Sequence, residues 1–147
     1  MFANVPRSFP PLEEEMINLP VFRAIVACYR AAAHLGEDAL IDVHAIRTVA
    51  EPGAPADPAP EGIHRDGRRL VGIFSIARNR VSGAVTMLHS KIEGDAEGCE
   101  LFKGPLMPGH GVLVNDRLGE GCYHYTGPIE AIEPPLNGTR DVVVLLV

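Results

Sequence analysis

Residues 69–77 read RLVGIFSIA, and five more runs of the same kind follow at short intervals: GAVTMLHS (83–90), CELFKG (99–104), HGVLVND (110–116), CYHYTG (122–127) and RDVVVLLV (140–147). Each is short and apolar, the signature of a strand rather than a helix. The segments between them, among them RNRVSG (78–83), EGDAEG (93–98) and PPLNGT (134–139), carry turn residues. None is of crossover-helix length, which favours a mainly β sandwich or jelly roll over a parallel α/β sheet.

Upstream of these runs, VFRAIVACYRAAAHL (21–35) spaces Val21, Ile25, Cys28 and Ala32 as one helix face, and Gly36 follows as the expected C-cap. ALIDVHAIRTVA (39–50) reads as one more strand. EPGAPADPAPEG (51–62) is too rich in Pro, Gly and Ala for anything but a loop, ordered as a lid or flexible. A chain of 147 residues can bury one core but not two. One domain over 1–147 is expected, with 1–59 as helical support and loop and 60–147 as the jelly-roll core.

The sequence is 46% hydrophobic and 22% charged, ordinary for a globular chain, and no window approaches the roughly 18 apolar residues of a membrane span. Its start, MFANVPRSFPPLEEEM, shows no secretory pattern, and its three cysteines form no C-x-x-C pair. Both features predict a cytoplasmic protein with free thiols. The net charge of −6 comes without a basic block, so a small-molecule partner is expected, with no nucleic acid and no membrane.

The stretch most suggestive of chemistry is EGIHRDG (61–67). In extended backbone His64 and Asp66 point to one face, where they can grip a metal together. Two histidines and one carboxylate on one face are the ligand set of non-haem iron(II) oxygenases, so a distant histidine is needed. His89, His110 and His124 are the candidates, and His124, in a late strand-like run, is favoured. Arg140 opens the apolar run RDVVVLLV, where a charge is costly without a partner. Its neighbour Asp141 points to the opposite face, which leaves the guanidinium free to meet a carboxylate inside the barrel. Arg65, between the two ligands, faces away from them and reads as a surface charge.

These blocks resemble the bacterial iron(II)/2-oxoglutarate dioxygenases that hydroxylate free amino acids, the L-isoleucine 4-hydroxylase-like group. The resemblance runs from about Pro60 to the C-terminus and rests on EGIHRDG, IARNRVSGA, MPGHGVLVNDR, His124 with TGPI after it, and RDVVVLLV. It implies a double-stranded β-helix, with His64, Asp66 and His124 as iron(II) ligands and Arg140 on the distal carboxylate of 2-oxoglutarate. Thr86 becomes a second contact to that cosubstrate. The implied reaction couples 2-oxoglutarate and O2 to hydroxylation of a substrate C–H bond, releasing succinate and CO2. For an amino acid substrate, Glu61, Arg78 and Asn79 offer the anion and cation that its ammonium and carboxylate require. The chain departs from the family at Ala84, where a second glycine is usual. The stretch before the H-x-D is short, and a second subunit in a homodimer is one way to supply the missing support. The alternative reading is a cupin-like metal-binding protein that is non-catalytic or independent of 2-oxoglutarate.

Overall fold

The computed structural model describes residues 10–90 and 98–147. The EGDAEG turn, but for Gly98, and residues 1–9 lie outside them. Two helices come first, α1 (Glu14–Ile17) and α2 (Pro20–Ala32). Nine strands follow: β1 (Asp42–Ala50), β2 (Val71–Asn79), β3 (Val81–Gly83), β4 (Val85–His89), β5 (Glu100–Pro105), β6 (Gly111–Val114), β7 (Tyr123–Thr126), β8 (Ile129–Ala131) and β9 (Gly138–Leu146). Every strand run predicted from sequence overlaps one of them. Among the described residues no helix is long and apolar enough to cross a membrane.

The strands form antiparallel sheets in the orders β1-β9-β2-β6 and β5-β4-β7, with β3 and β8 pairing separately. Val71, Ile73, Val114 and Leu146 of the larger sheet meet Leu88 and Phe102 of the smaller one, so the main core lies between the two. This is the double-stranded β-helix expected. The outer face of the larger sheet is covered by α2: Phe22 and Tyr29 pack with Val143 and Leu145. Tyr29 is wholly buried and its hydroxyl donates to the Leu70 carbonyl at 2.8 Å. Gly72 makes room for it, since a Cβ there would stand 2.7 Å from the Tyr29 ring.

Two expectations for the helix change. Val21 is 58% exposed and Cys28 is exposed, so the aromatic pair, not the aliphatic stripe, forms the buried face. Large rings remove more surface from water, and that outweighs the neater spacing of smaller residues. The helix also stops before Gly36. Ala33 is the C-cap, His34 takes a left-handed φ of 51°, and the Leu35 N–H reaches back to the Arg30 carbonyl at 3.0 Å.

One irregularity shapes the interior. Along β2 and β9, Ser75 faces Val142, yet Ala77 faces Asp141 and Arg78 faces Arg140. Ile76 is therefore a bulge, an extra residue that reverses which side chains point inward beyond it. The proline-rich stretch 51–62 is tied down where Ala56 and Ile129 exchange backbone hydrogen bonds of 3.0 and 2.8 Å.

Candidate metal centre

β7 carries His124 on the inner face of the smaller sheet. Its free edge is met by the H-x-D segment at one point, where His64 and His124 exchange backbone hydrogen bonds of 3.1 and 3.0 Å. Residues paired in this way project to the same side, and the two imidazole centroids stand 4.4 Å apart. Asp66, two residues beyond His64, reaches both. Its Oδ1 lies 3.6 Å from His64 Nε2, and its Oδ2 lies 3.6 Å from His124 Nε2. One ligand atom from each of the three residues falls within 4.8 Å of the others, the sole such grouping among the described residues. His89 pairs with Tyr123 on the other face of the strand, and His110 lines a groove against α2.

Both imidazoles are oriented from behind. His64 Nδ1 lies 2.8 Å from the Gly62 carbonyl, which can only accept, so Nδ1 is the donor and Nε2 is the nitrogen turned toward the ligand side. His124 Nδ1 lies 3.3 Å from Oδ1 of the wholly buried Asp116, close but off the line of an ideal hydrogen bond. Asp116 Oδ2 accepts the Arg68 N–H at 3.1 Å. This is the carboxylate-histidine support found behind metal-bound imidazoles. Burial, and then the neighbouring His64, push His124 below its ordinary pKa, while Asp66 and Asp116 pull it back in part. The neutral ring that results is the form that binds a metal. From the opposite face, the Arg65 guanidinium stacks 4.4 Å over the Tyr123 ring and donates to its hydroxyl at 3.2 Å. Arg65 thus clamps the H-x-D segment to β7 rather than standing as a free surface charge.

The triad opens onto a cavity of about 390 Å³ whose wall includes Glu61, Thr126 and Arg140. Arg140 is 3% exposed, and its Nε and Nη2 have no hydrogen-bond partner among the described residues. Asp141 points outward to a two-bond contact with Arg47, each bond 2.7 Å long. Burial, and then the charge of Arg78, push Arg140 down to about 10. It remains a cation, and a buried cation with unused donors is a socket for an anion.

Not every residue singled out from sequence meets this wall. Thr86 is wholly buried behind Thr126, with their hydroxyls 3.4 Å apart. Asn79 is exposed, 3.4 Å from the Thr139 hydroxyl, because the bulge at Ile76 turns it outward. Arg78 stands opposite Arg140 rather than on the cavity wall. Sequence reasoning missed three contributors: Asp116, Thr126 and His44, which lines the cavity from β1. The alternation of Val43, Ala45 and Arg47 with His44 and Ile46 carried a signal for His44. Asp116 showed none beyond its place at the end of an apolar strand.

The cluster suits an iron(II) centre: two imidazoles and a carboxylate converge beside a buried guanidinium with unused donors. A comparison with curated proteins finds no match. The structure is similar to that of IDO from Bacillus thuringiensis (16% identity, 99% of this chain, 63% of that chain, TM-score 0.77). It is also similar to a bsmA homolog from Methylobium petroleophilum PM1 (31% identity, 95% of this chain, 55% of that one, TM-score 0.72). A third likeness is to the Fe(II)/(alpha)ketoglutarate-dependent dioxygenase TqaL (18% identity, 97% of this chain, 58% of that one, TM-score 0.73). The chain thus spans less than two thirds of the length of each of these proteins. A family model described as 2OG-Fe dioxygenase, a family that uses iron(II), 2-oxoglutarate and O2, matches residues 1–146, and the chain belongs to that family.

Proposed function

We propose that the protein is an iron(II)/2-oxoglutarate-dependent dioxygenase that hydroxylates a C–H bond of a free L-amino acid or a small amino-acid derivative. The observation that carries the reading is the shared cavity: His64, Asp66 and His124 at one part of its wall and the unpaired guanidinium of Arg140 at another. A metal site alone would suit any cupin-like barrel, but a buried cation with unused donors beside it calls for an anionic cosubstrate.

In this reading His64, Asp66 and His124 would hold the iron(II) ion. Arg140 binds the distal carboxylate of 2-oxoglutarate, and Asp116 keeps His124 in its ligating tautomer. When bound, iron(II) and 2-oxoglutarate supply the oxidising chemistry: one atom of O2 enters succinate as CO2 departs, and the other enters the substrate as hydroxyl. Glu61 on the cavity wall offers a carboxylate for a substrate ammonium, and His44 supplies a hydrogen-bonding group for its carboxylate.

Incubating the iron-loaded protein with 2-oxoglutarate, O2 and a panel of free amino acids tests the proposal. Succinate release stimulated by one or a few of them is expected. Release unaffected by any amino acid would overturn the substrate class, and failure of 2-oxoglutarate to bind at all would overturn the reaction.

A further inference from the structure

Arg78 and Arg140 occupy paired positions on β2 and β9, so two guanidinium groups share the inner face at the same level of the sheet. Like charges placed opposite each other on neighbouring strands are destabilising. The arrangement depends on the bulge at Ile76, without which Ala77 would take the place of Arg78. Arg78 is partly buried. Its Nη2 is anchored on the Gly83 carbonyl at 2.8 Å, while its Nη1 is buried without a hydrogen-bond partner among the described residues. Together with Nε and Nη2 of Arg140, three buried nitrogen donors on two adjacent cations remain unused. Asp141, the carboxylate next in sequence, is committed to Arg47 on the other face.

We infer that Arg78 is a positioning residue for the cosubstrate: a second cation behind Arg140 that makes this end of the cavity select a short 2-oxo diacid over a 2-oxo monoacid. The inference rests on the proposed 2-oxoglutarate chemistry and extends it to a residue outside the cavity wall. A lone guanidinium matches one carboxylate. A second one nearby strengthens the local positive field in a site shielded from water, and the repulsion between the two is relieved when an anion arrives. The gain is felt only by a ligand that carries charge at that end.

Two 2-oxo acids separate this role from simple bracing of the Gly83 carbonyl: 2-oxoglutarate, and 2-oxopentanoate, which has a methyl group in place of the distal carboxylate. Their affinities for the iron(II)-loaded, oxygen-free protein are measured by calorimetry, for the parent chain and for Arg78→Gln, Arg78→Lys and Arg140→Met. Arg78→Gln keeps a donor for the Gly83 carbonyl and removes the charge. It is expected to weaken 2-oxoglutarate about tenfold, equivalent to about 1.4 kcal/mol, and to leave 2-oxopentanoate unchanged. Arg78→Lys is expected to recover most of that loss. An equal loss for both ligands would mean that Arg78 only braces the strand, and no loss for either would mean that Arg140 acts alone; each result overturns the inference. If Arg140→Met still weakens 2-oxoglutarate in those cases, the proposed function survives. If it does not, that reading falls as well.

Discussion

His64 and His124 are directly paired across the edge of the smaller sheet, and Asp66 lies 3.6 Å from Nε2 of each. The three ligands therefore rest on one strand pairing rather than on three independent loops. Removing any of them leaves two donors to hold the ion against water. His64→Ala, Asp66→Ala and His124→Ala are each expected to lose iron on gel filtration and with it all turnover, whereas His110→Ala keeps both. Metal content measured on the purified variants checks this, and full iron in any of the first three would remove that residue from the site.

Asp116 holds His124 from behind and accepts the Arg68 N–H as well. Loss of such an outer carboxylate commonly costs about 10- to 100-fold in metal affinity. Asp116→Ala is expected to fall in that range with its fold retained. Competitive titration against a chelator, alongside circular dichroism, separates the weakened site from a collapsed one.

Arg140 sets ligand binding against stability. Truncating one partner of a buried charged pair costs about 2–5 kcal/mol, so Arg140→Met should bind 2-oxoglutarate roughly thirty-fold to several-thousand-fold more weakly. The ligand-free protein should move the other way, because an unpaired buried cation is itself a cost, and an apolar side chain of similar length is expected to raise stability by about 1–3 kcal/mol. Urea unfolding of the two apo proteins checks the sign; equal or lower stability in the variant would mean that the guanidinium is satisfied within the fold. Arg140→Lys should recover only part of the binding, since an ammonium keeps the charge but not the planar fork.

The depressed pKa of His124 predicts a pH dependence of the metal-free fold. Between the lowered folded value and the unfolded value of about 6.5, the unfolded chain binds more protons. Stability therefore rises with pH through that window. The contribution of the neutral imidazole is fully present above about 6.5 and is lost as pH falls through the folded pKa. Unfolding midpoints measured from pH 7.5 down to 5 should fall for the parent chain and fall less for His124→Asn. Parallel curves would assign the acid sensitivity to other groups.

Where β3 passes into β4 two neighbouring residues both have left-handed backbone, Gly83 at φ 77° and Ala84 at φ 52°. A Cβ on Gly83 would stand 2.2 Å from the Pro128 carbonyl oxygen. Gly83→Ala is therefore expected to destabilise by more than the roughly 1–2 kcal/mol of left-handed strain alone. Ala84→Gly should be close to neutral or mildly stabilising, because relief of a similar strain exceeds the roughly 0.8 kcal/mol lost with one buried methyl. Thermal melts of both variants test the contrast, and a larger loss at Ala84 than at Gly83 would contradict it.

What could be read beforehand follows from how local each feature is. The strand runs were visible because turn residues mark their ends, and the convergence of His64 with Asp66 follows from the two-residue repeat of extended backbone. Arg140 and Asp141 part to opposite faces for the same reason. The support of Asp116 could not be read this way, since it depends on the end of β6 arriving beside β7, a relation with no local marker. Phe22 and Tyr29 displaced Val21 and Cys28 from the buried face because the sheet offers Gly72 as a recess for a ring. Asn79 was expected to face inward and lies outside, because a bulge is one uncounted residue in an otherwise regular alternation.

That uncounted residue gives β2 something like a reading frame. Ile76 is 38% exposed, so its side chain can be exchanged at little cost while it stays out of the ladder. Deleting it would leave the flanking pairs as they are, with Ala77 opposite Asp141 and Arg78 opposite Arg140. Drawing it into the ladder opposite Asp141 would instead move every later residue one place along and bring Ala77 and Asn79 to the inner face. The cation opposite Arg140 would then be gone although no charged residue had been altered. Pairing at this point, rather than composition, decides which charges stand at the cavity's far end.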